Sequence, residues 1–171
     1  LQNSQRADPL TGAHPDENYA REVMQLFSIG LVQLNQDGSQ QISNGEPIPT
    51  YTQTDIEELS RIFTGWSSAG RWRWWYDHTV PMIAYPLYHD DGQKQFLGET
   101  FPAGQTPEQD MDDALDILFD HPNVGPFIGK QLIQRFVTSN PSPGYVSRVA
   151  AVFNDNGEGV RGDLLAVLRA I

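Results

Sequence analysis

Between Leu87 and Gly98 the chain reads Leu-Tyr-His-Asp-Asp-Gly-Gln-Lys-Gln-Phe-Leu-Gly, which brings an imidazole, two carboxylates and an ammonium into six consecutive positions. His89, Asp90 and Asp91 are ligand types for a divalent metal, and Lys94 could neutralise an anionic group of a substrate; together they would make a metal-assisted hydrolase. A catalytic metal usually takes three protein ligands, and neither His78 nor His121 stands at a spacing that marks it as the third. The simpler reading has His89 and the aspartates capping a turn, Gly92 supplying a positive φ and Lys94 paired with an aspartate, and it is the favoured one.

A second set of residues suits binding. Trp72, Trp74, Trp75, Tyr76 and Tyr85 offer flat apolar faces with polar edges, on which sugars stack, and with Lys94 they are the candidate ligand-binding residues. The same rings could instead form a satellite core that holds their loop down, with Arg71 and Arg73 stacked on them. Arg21 and Glu22 flank an apolar stripe and would need partners, for which Asp55, Arg61 and Arg135 are candidates. Asn35, Asp37, Ser39 and Glu46, and again Asn154, Asn156 and Glu158, each match half of a calcium-loop template and read as solvated turns. Arg161-Gly162-Asp163 spells an adhesion tripeptide, but Asp163 is explained as a helix start. No nucleophile elbow, phosphate-binding loop, dinucleotide fingerprint or zinc-protease helix occurs. A serine such as Ser67 or Ser68 could meet a histidine only through folding.

These residues need elements to hold them. Tyr19, Val23, Leu26, Phe27, Gly30, Leu31 and Leu34 share one helical face, predicting a long helix over 15–34. The Gly-, Asn- and Pro-rich stretch from Asn35 to Pro49 reads as a loop or hairpin. Thr52 with Asp55 forms a capping box for a second helix over 53–65. Thr106 caps a third, with Met111, Ala114, Leu115, Leu118 and Phe119 inward, ending near His121. A fourth begins at Pro122 and is stopped at Asn140-Pro141, a fifth runs from Ser142-Pro143 to Phe153, and a sixth follows Gly162. Residues 66–105 hold all four tryptophans without helical periodicity, and the alternation from Arg71 to Tyr76 reads as a short strand, so that the insertion could hold a short β-hairpin. The expected fold is therefore mainly α: about six helices in an irregular bundle with a long Trp-rich loop insertion, in one domain over 1–171. A chain of 171 residues can bury roughly 70% of its unfolded surface without metal or disulfides.

With 22 acidic against 11 basic side chains the formal charge is -11, which repels phosphate backbones and makes nucleic acid an unsuitable partner. No apolar run approaches the roughly 20 residues of a membrane span, and the absence of cysteine leaves the redox compartment open. The apolar stripe Leu164, Leu165, Val167, Leu168 and Ile171 stops without a cap and no leader opens the chain, so a fragment of a longer protein is expected.

Four stretches, in this order, resemble the bacterial family catalogued as domain of unknown function 1800. They are Asp16-Glu17-Asn18-Tyr19-Ala20-Arg21-Glu22 through Ser28-Ile29-Gly30, Tyr51-Thr52-Gln53-Thr54-Asp55 through Phe63-Thr64-Gly65-Trp66, the His89 loop through Phe96-Leu97-Gly98, and His121-Pro122 through Arg135-Phe136-Val137. The family usually opens its first motif with Asn where this chain has Asp16, and the insertion after Gly65-Trp66 is longer than usual. The resemblance implies a helical central segment of an exported protein in the periplasm or outside the cell, encoded beside an exported sulfatase-like protein. It transfers no catalytic residues. The functional expectation is a binding or scaffold module, directed to a glycan or to a protein partner such as the sulfatase-like neighbour. The alternative is the metal-assisted hydrolase centred on His89, Asp90 and Asp91, and whether the chain is an enzyme stays open.

Overall fold

In the computed structural model, residues 7, 8, 10, 12–70 and 77–171 are described. The chain divides into two compact units, 1–22 with 51–117 and 23–50 with 118–171. The described residues hold six α-helices and three two-stranded antiparallel hairpins, so the mainly helical expectation holds.

The first unit carries α1 (Glu17–Glu22), α2 (Gln53–Ile62), the hairpins β3–β4 (Trp66–Ser67 with Ile83–Ala84) and β5–β6 (Lys94–Phe96 with Glu99–Phe101), and most of α3 (Pro107–Asp120). The capping box of α2 forms as expected: the Asp55 N–H donates to Thr52 Oγ1 and the Thr52 N–H to Asp55 Oδ2. Ile56, Leu59 and Ile62 then form its buried stripe. Strand β5 alternates, with Lys94 and Phe96 inward and Gln95 outward. The insertion thus contains two hairpins and a 3₁₀ turn (Pro86–Tyr88). The strand expected over Arg71 to Tyr76 lies outside the described residues.

The second unit carries a π-helical segment (Val23–Ser28), the hairpin β1–β2 (Ile42–Ser43 with Glu46–Pro47), α4 (Val124–Phe136), α5 (Pro143–Asn154) and α6 (Leu164–Ala170). Ser142 and Asp163 cap α5 and α6, accepting from Tyr145 N–H and Ala166 N–H. Helices α4 and α5 pack through glycine: a Cβ on Gly129 would lie 3.2 Å from Val149 Cγ1, and one on Gly125 would lie 2.8 Å from Asn154 Oδ1.

Two helical expectations are corrected. The first helix ends at Ser28, not near residue 34, because Gly30 takes a φ of +71° that terminates a helix. A widened π turn precedes it, with the Ile29 N–H bonding Met24 O five residues back. That turn also re-aims the stripe: Ala20, Met24 and Ile29 are buried, whereas Tyr19, Leu26, Phe27 and Leu31 are exposed. On α3, Ala114 and Leu118 are buried but Leu115 and Phe119 are not.

Candidate functional site

In the first unit the His89 loop docks on α2. Arg61 reaches Asp90 with Nε to Oδ2 at 2.9 Å and Nη2 to Oδ1 at 3.1 Å, and its Nη1 donates to both Glu58 oxygens at 2.8 Å. This is fork-to-carboxylate geometry, directional as well as attractive. Burial alone would push the Asp90 carboxyl up, but the Arg61 hydrogen bonds, the Gly92 N–H and the nearby positive charges hold it below its ordinary value. The Asp90 carboxylate in turn raises the Arg61 guanidinium further. Glu58 and Asp55 also accept the backbone N–H groups of Gln95 and Leu97 at 3.0 Å, pinning β5 to the same helix.

Behind this clamp lies a cluster sealed from solvent. Lys94 Nζ sits 2.7 Å from Asp110 Oδ2, and His89 Nε2 sits 3.1 Å from the same oxygen; the Lys94 and Asp110 side chains are 0% exposed. His89 Nδ1 donates to Thr64 O at 2.9 Å, so both ring nitrogens are engaged. Lys94 Nζ also donates to Gly92 O at 3.0 Å, while Asp110 Oδ1 has no hydrogen-bond partner among the described residues. Three elements position the cluster. His89 closes the 3₁₀ turn with its N–H on Pro86 O, Lys94 is an inward position of β5, and Asp110 stands in the first turn of α3, where the helix dipole favours a carboxylate. Gly65 is required for the approach, since with φ +86° a Cβ there would meet His89 Cβ at 3.0 Å.

The sequence candidates are therefore distributed rather than convergent. His89 and Lys94 are buried against Asp110, Asp90 is held by Arg61, and Asp91 is exposed. No group of three or more His, Cys, Asp or Glu among the described residues is placed to hold a metal ion. A metal at His89 and Asp90 would have to displace hydrogen bonds already made. Lys94, offered by sequence as a ligand contact, faces the interior. Tyr85 is half-buried, with its hydroxyl donating to Ser68 O at 3.2 Å. Trp72, Trp74, Trp75 and Tyr76 lie outside the described residues. Arg21 pairs with Glu17 at the surface, and Ser68 Oγ lies 3.4 Å from His78 Nδ1 in an exposed position. Asp110 was missed, although its signal was present: Asp110, Ala114 and Leu118 share an i, i+4, i+8 stripe, an acid where a core residue belongs.

The second unit has an open groove. A cavity of about 650 Å³ is lined by Gln25, Leu26, Gly30, Leu31, Phe127, Gln131, Gln134, Arg135 and Ser139, and an adjoining one of about 250 Å³ adds Lys130, Gly38 and Leu34. The first volume lies in the range of small-ligand sites. Its floor is the Gly30–Phe127 contact, where a Cβ on Gly30 would stand 2.7 Å from the Phe127 ring. The segment from Ile29 to Leu34 is tied by Asn123, whose Nδ2 donates to Ile29 O at 2.8 Å and Val32 O at 2.7 Å while Oδ1 accepts from Leu34 N–H at 2.8 Å. Although Asn123 stands at the N-cap of α4, its side chain makes no capping bond there. Arg161 is half-buried and occupied within the unit: it donates to Phe119 O, Asn154 Oδ1 and His121 O, and its guanidinium lies over the Phe119 and Phe153 rings. The adhesion tripeptide is thus consumed by the fold.

Each unit joins two of the four sequence stretches: Thr64-Gly65 with His89 in the first, Ile29-Gly30 with Asn123 and Phe127 in the second. A family model described as "Protein of unknown function (DUF1800)" matches residues 2–171. No curated protein and no solved structure matches the chain.

Proposed function

We propose that this chain, which belongs to that family of proteins of unknown function (DUF1800), works as a binding or scaffold module whose ligand-facing surface is the groove of the second unit. The observation that carries this reading is the contrast in access. The residues with catalytic chemistry, His89, Lys94 and Asp110, are buried and occupied with one another. The groove, by contrast, presents amides, a guanidinium and apolar surface to solvent. Catalysis needs a nucleophile, acid or metal within hydrogen-bond reach of substrate, and the buried cluster offers no such approach. Its role is to fix the His89 loop between α2 and α3. The groove has the makeup of a recognition site: a mainly apolar floor with a few convergent hydrogen-bonding groups.

Of the lining residues Leu26 and Leu31 are exposed, and the exposed Phe27, Phe136 and Val137, next in sequence to lining residues or one position beyond, extend the apolar surface that a partner would cover. The resemblance adds an exported setting and makes the sulfatase-like neighbour the first protein to try. A glycan stacked on the aromatic insertion is a separate proposal that a glycan array addresses.

The test is a fragment screen by two-dimensional NMR on uniformly labelled protein. Binders are expected to shift the amides of Gly30, Phe127, Gln131 and Gln134. Fragments that shift only the His89 loop, or hydrolytic turnover lost in His89→Gln with the fold intact, would overturn the reading in favour of an enzyme.

A further inference from the structure

The charge of this protein is unevenly placed. The segments of the first unit carry sixteen acidic and six basic side chains, those of the second six acidic and five basic. Within the second unit the groove departs further from the average. Lys130 and Arg135 line it, and no carboxylate does among the described residues. Neither cation has a salt-bridge partner among the described residues, in a chain where acids outnumber bases two to one. At about 100° per residue, Phe127, Gln131 and Gln134 form the central stripe of the α4 face that lines the groove, with Lys130 on one flank and Arg135 on the other. Opposite them stand Leu26 and Leu31, and Gln25 adds a third amide. Gln25 and Gln131 make no side-chain hydrogen bond with a described residue, while Gln134 Nε2 donates to Ser139 O. The groove therefore offers a cation at each side, amides that match peptide groups, and apolar contact between them.

Resting on the binding-module reading, we infer that the occupant is an extended acidic peptide segment of a partner protein that presents acidic, apolar and acidic side chains on one face. In an extended chain such a face is made by every second residue. The two carboxylates meet Lys130 and Arg135, the apolar side chain enters between Leu26, Leu31 and Phe127, and the glutamine amides bond the peptide backbone. Charge-assisted hydrogen bonds formed in a partly dry groove give the selectivity.

The probe is a fluorescent peptide with glutamate, leucine and glutamate at alternate positions, separated by serines. Its glutamine and lysine counterparts serve as controls, and binding is read by polarisation at low and raised salt. The glutamate peptide is expected to bind, to weaken with salt, and to lose about tenfold in affinity when its acids become glutamine. The Lys130→Glu/Arg135→Glu variant is expected to reject the glutamate peptide and accept the lysine one. Arg135 is exposed and Lys130 half-buried, and circular dichroism verifies the fold. Amide shifts in the unsubstituted protein, mapped to Gln131 and Gln134, give the same answer without any variant. Equal binding of all three peptides, or no effect of the charge reversal, overturns the inference. Self-association abolished by the same reversal also overturns it, by making a second copy the occupant. Fragments that occupy the groove while the acidic peptide does not would leave the binding module standing and remove only this partner.

Discussion

Replacing Asp110 by alanine tests whether the buried cluster is a structural fixture. The carboxylate bonds Lys94 Nζ at 2.7 Å and approaches His89 Nε2 at 3.1 Å, with the Lys94 and Asp110 side chains fully buried. Without it, Lys94 keeps only Gly92 O as a partner among the described residues, and an ammonium stranded in the interior destabilises by about 3–5 kcal/mol. Replacing both members with apolar side chains of similar volume, Lys94→Met with Asp110→Leu, removes both desolvation penalties and is expected to cost no more than about 1–2 kcal/mol. The singles and the double form a cycle whose coupling reads the pair directly. Urea unfolding followed by tryptophan fluorescence is the assay, because Trp66, Trp72, Trp74 and Trp75 all belong to segments of the first unit. A loss below about 1 kcal/mol for Asp110→Ala, or a double variant as unstable as the sum of the singles, would refute the reasoning by showing the pair to be hydrated.

In the second unit, Asn123→Asp would set a carboxylate against the Ile29 and Val32 carbonyls and is expected to cost about 3 kcal/mol, more than Asn123→Ala; equal thermal melts for the two would show that the donated bonds contribute nothing. Gly30→Ala combines a left-handed φ with a Cβ 2.7 Å from the Phe127 ring and is expected to lose about 2 kcal/mol, of which Phe127→Leu restores only the steric part. Burial, with the Arg161 charge second, holds the His121 imidazole below its ordinary value, and its Nδ1 accepts from the Asn123 N–H. The unfolded chain therefore binds this proton first, so stability is expected to fall as pH drops through about 6.5, the unfolded value. His121→Gln should flatten the stability profile of the second unit in that window, and an unchanged slope would exclude His121 as its source.

The sequence alone determined what is local. The Thr52–Asp55 capping box and the starts at Ser142 and Asp163 are settled within a turn or two of chain, where backbone donors and side-chain acceptors are neighbours. The fourth helix, expected from Pro122 to Asn140-Pro141, spans only Val124–Phe136. Mainly helical class and family membership were legible for a related reason: helical periodicity and ordered motifs are both properties of the linear string. Tertiary structure decided the rest. The long first helix ends early because Gly30 takes a left-handed φ, and Phe127, about a hundred positions away, packs where a Cβ at that residue would stand. The partner of His89 and Lys94 is Asp110, not the adjacent Asp90 or Asp91, because strand alternation turns Lys94 inward and α3 brings one acid to the same buried point. Neighbouring charges in sequence are held apart by the period of the elements that carry them, and which distant group meets a buried one is fixed only when those elements pack.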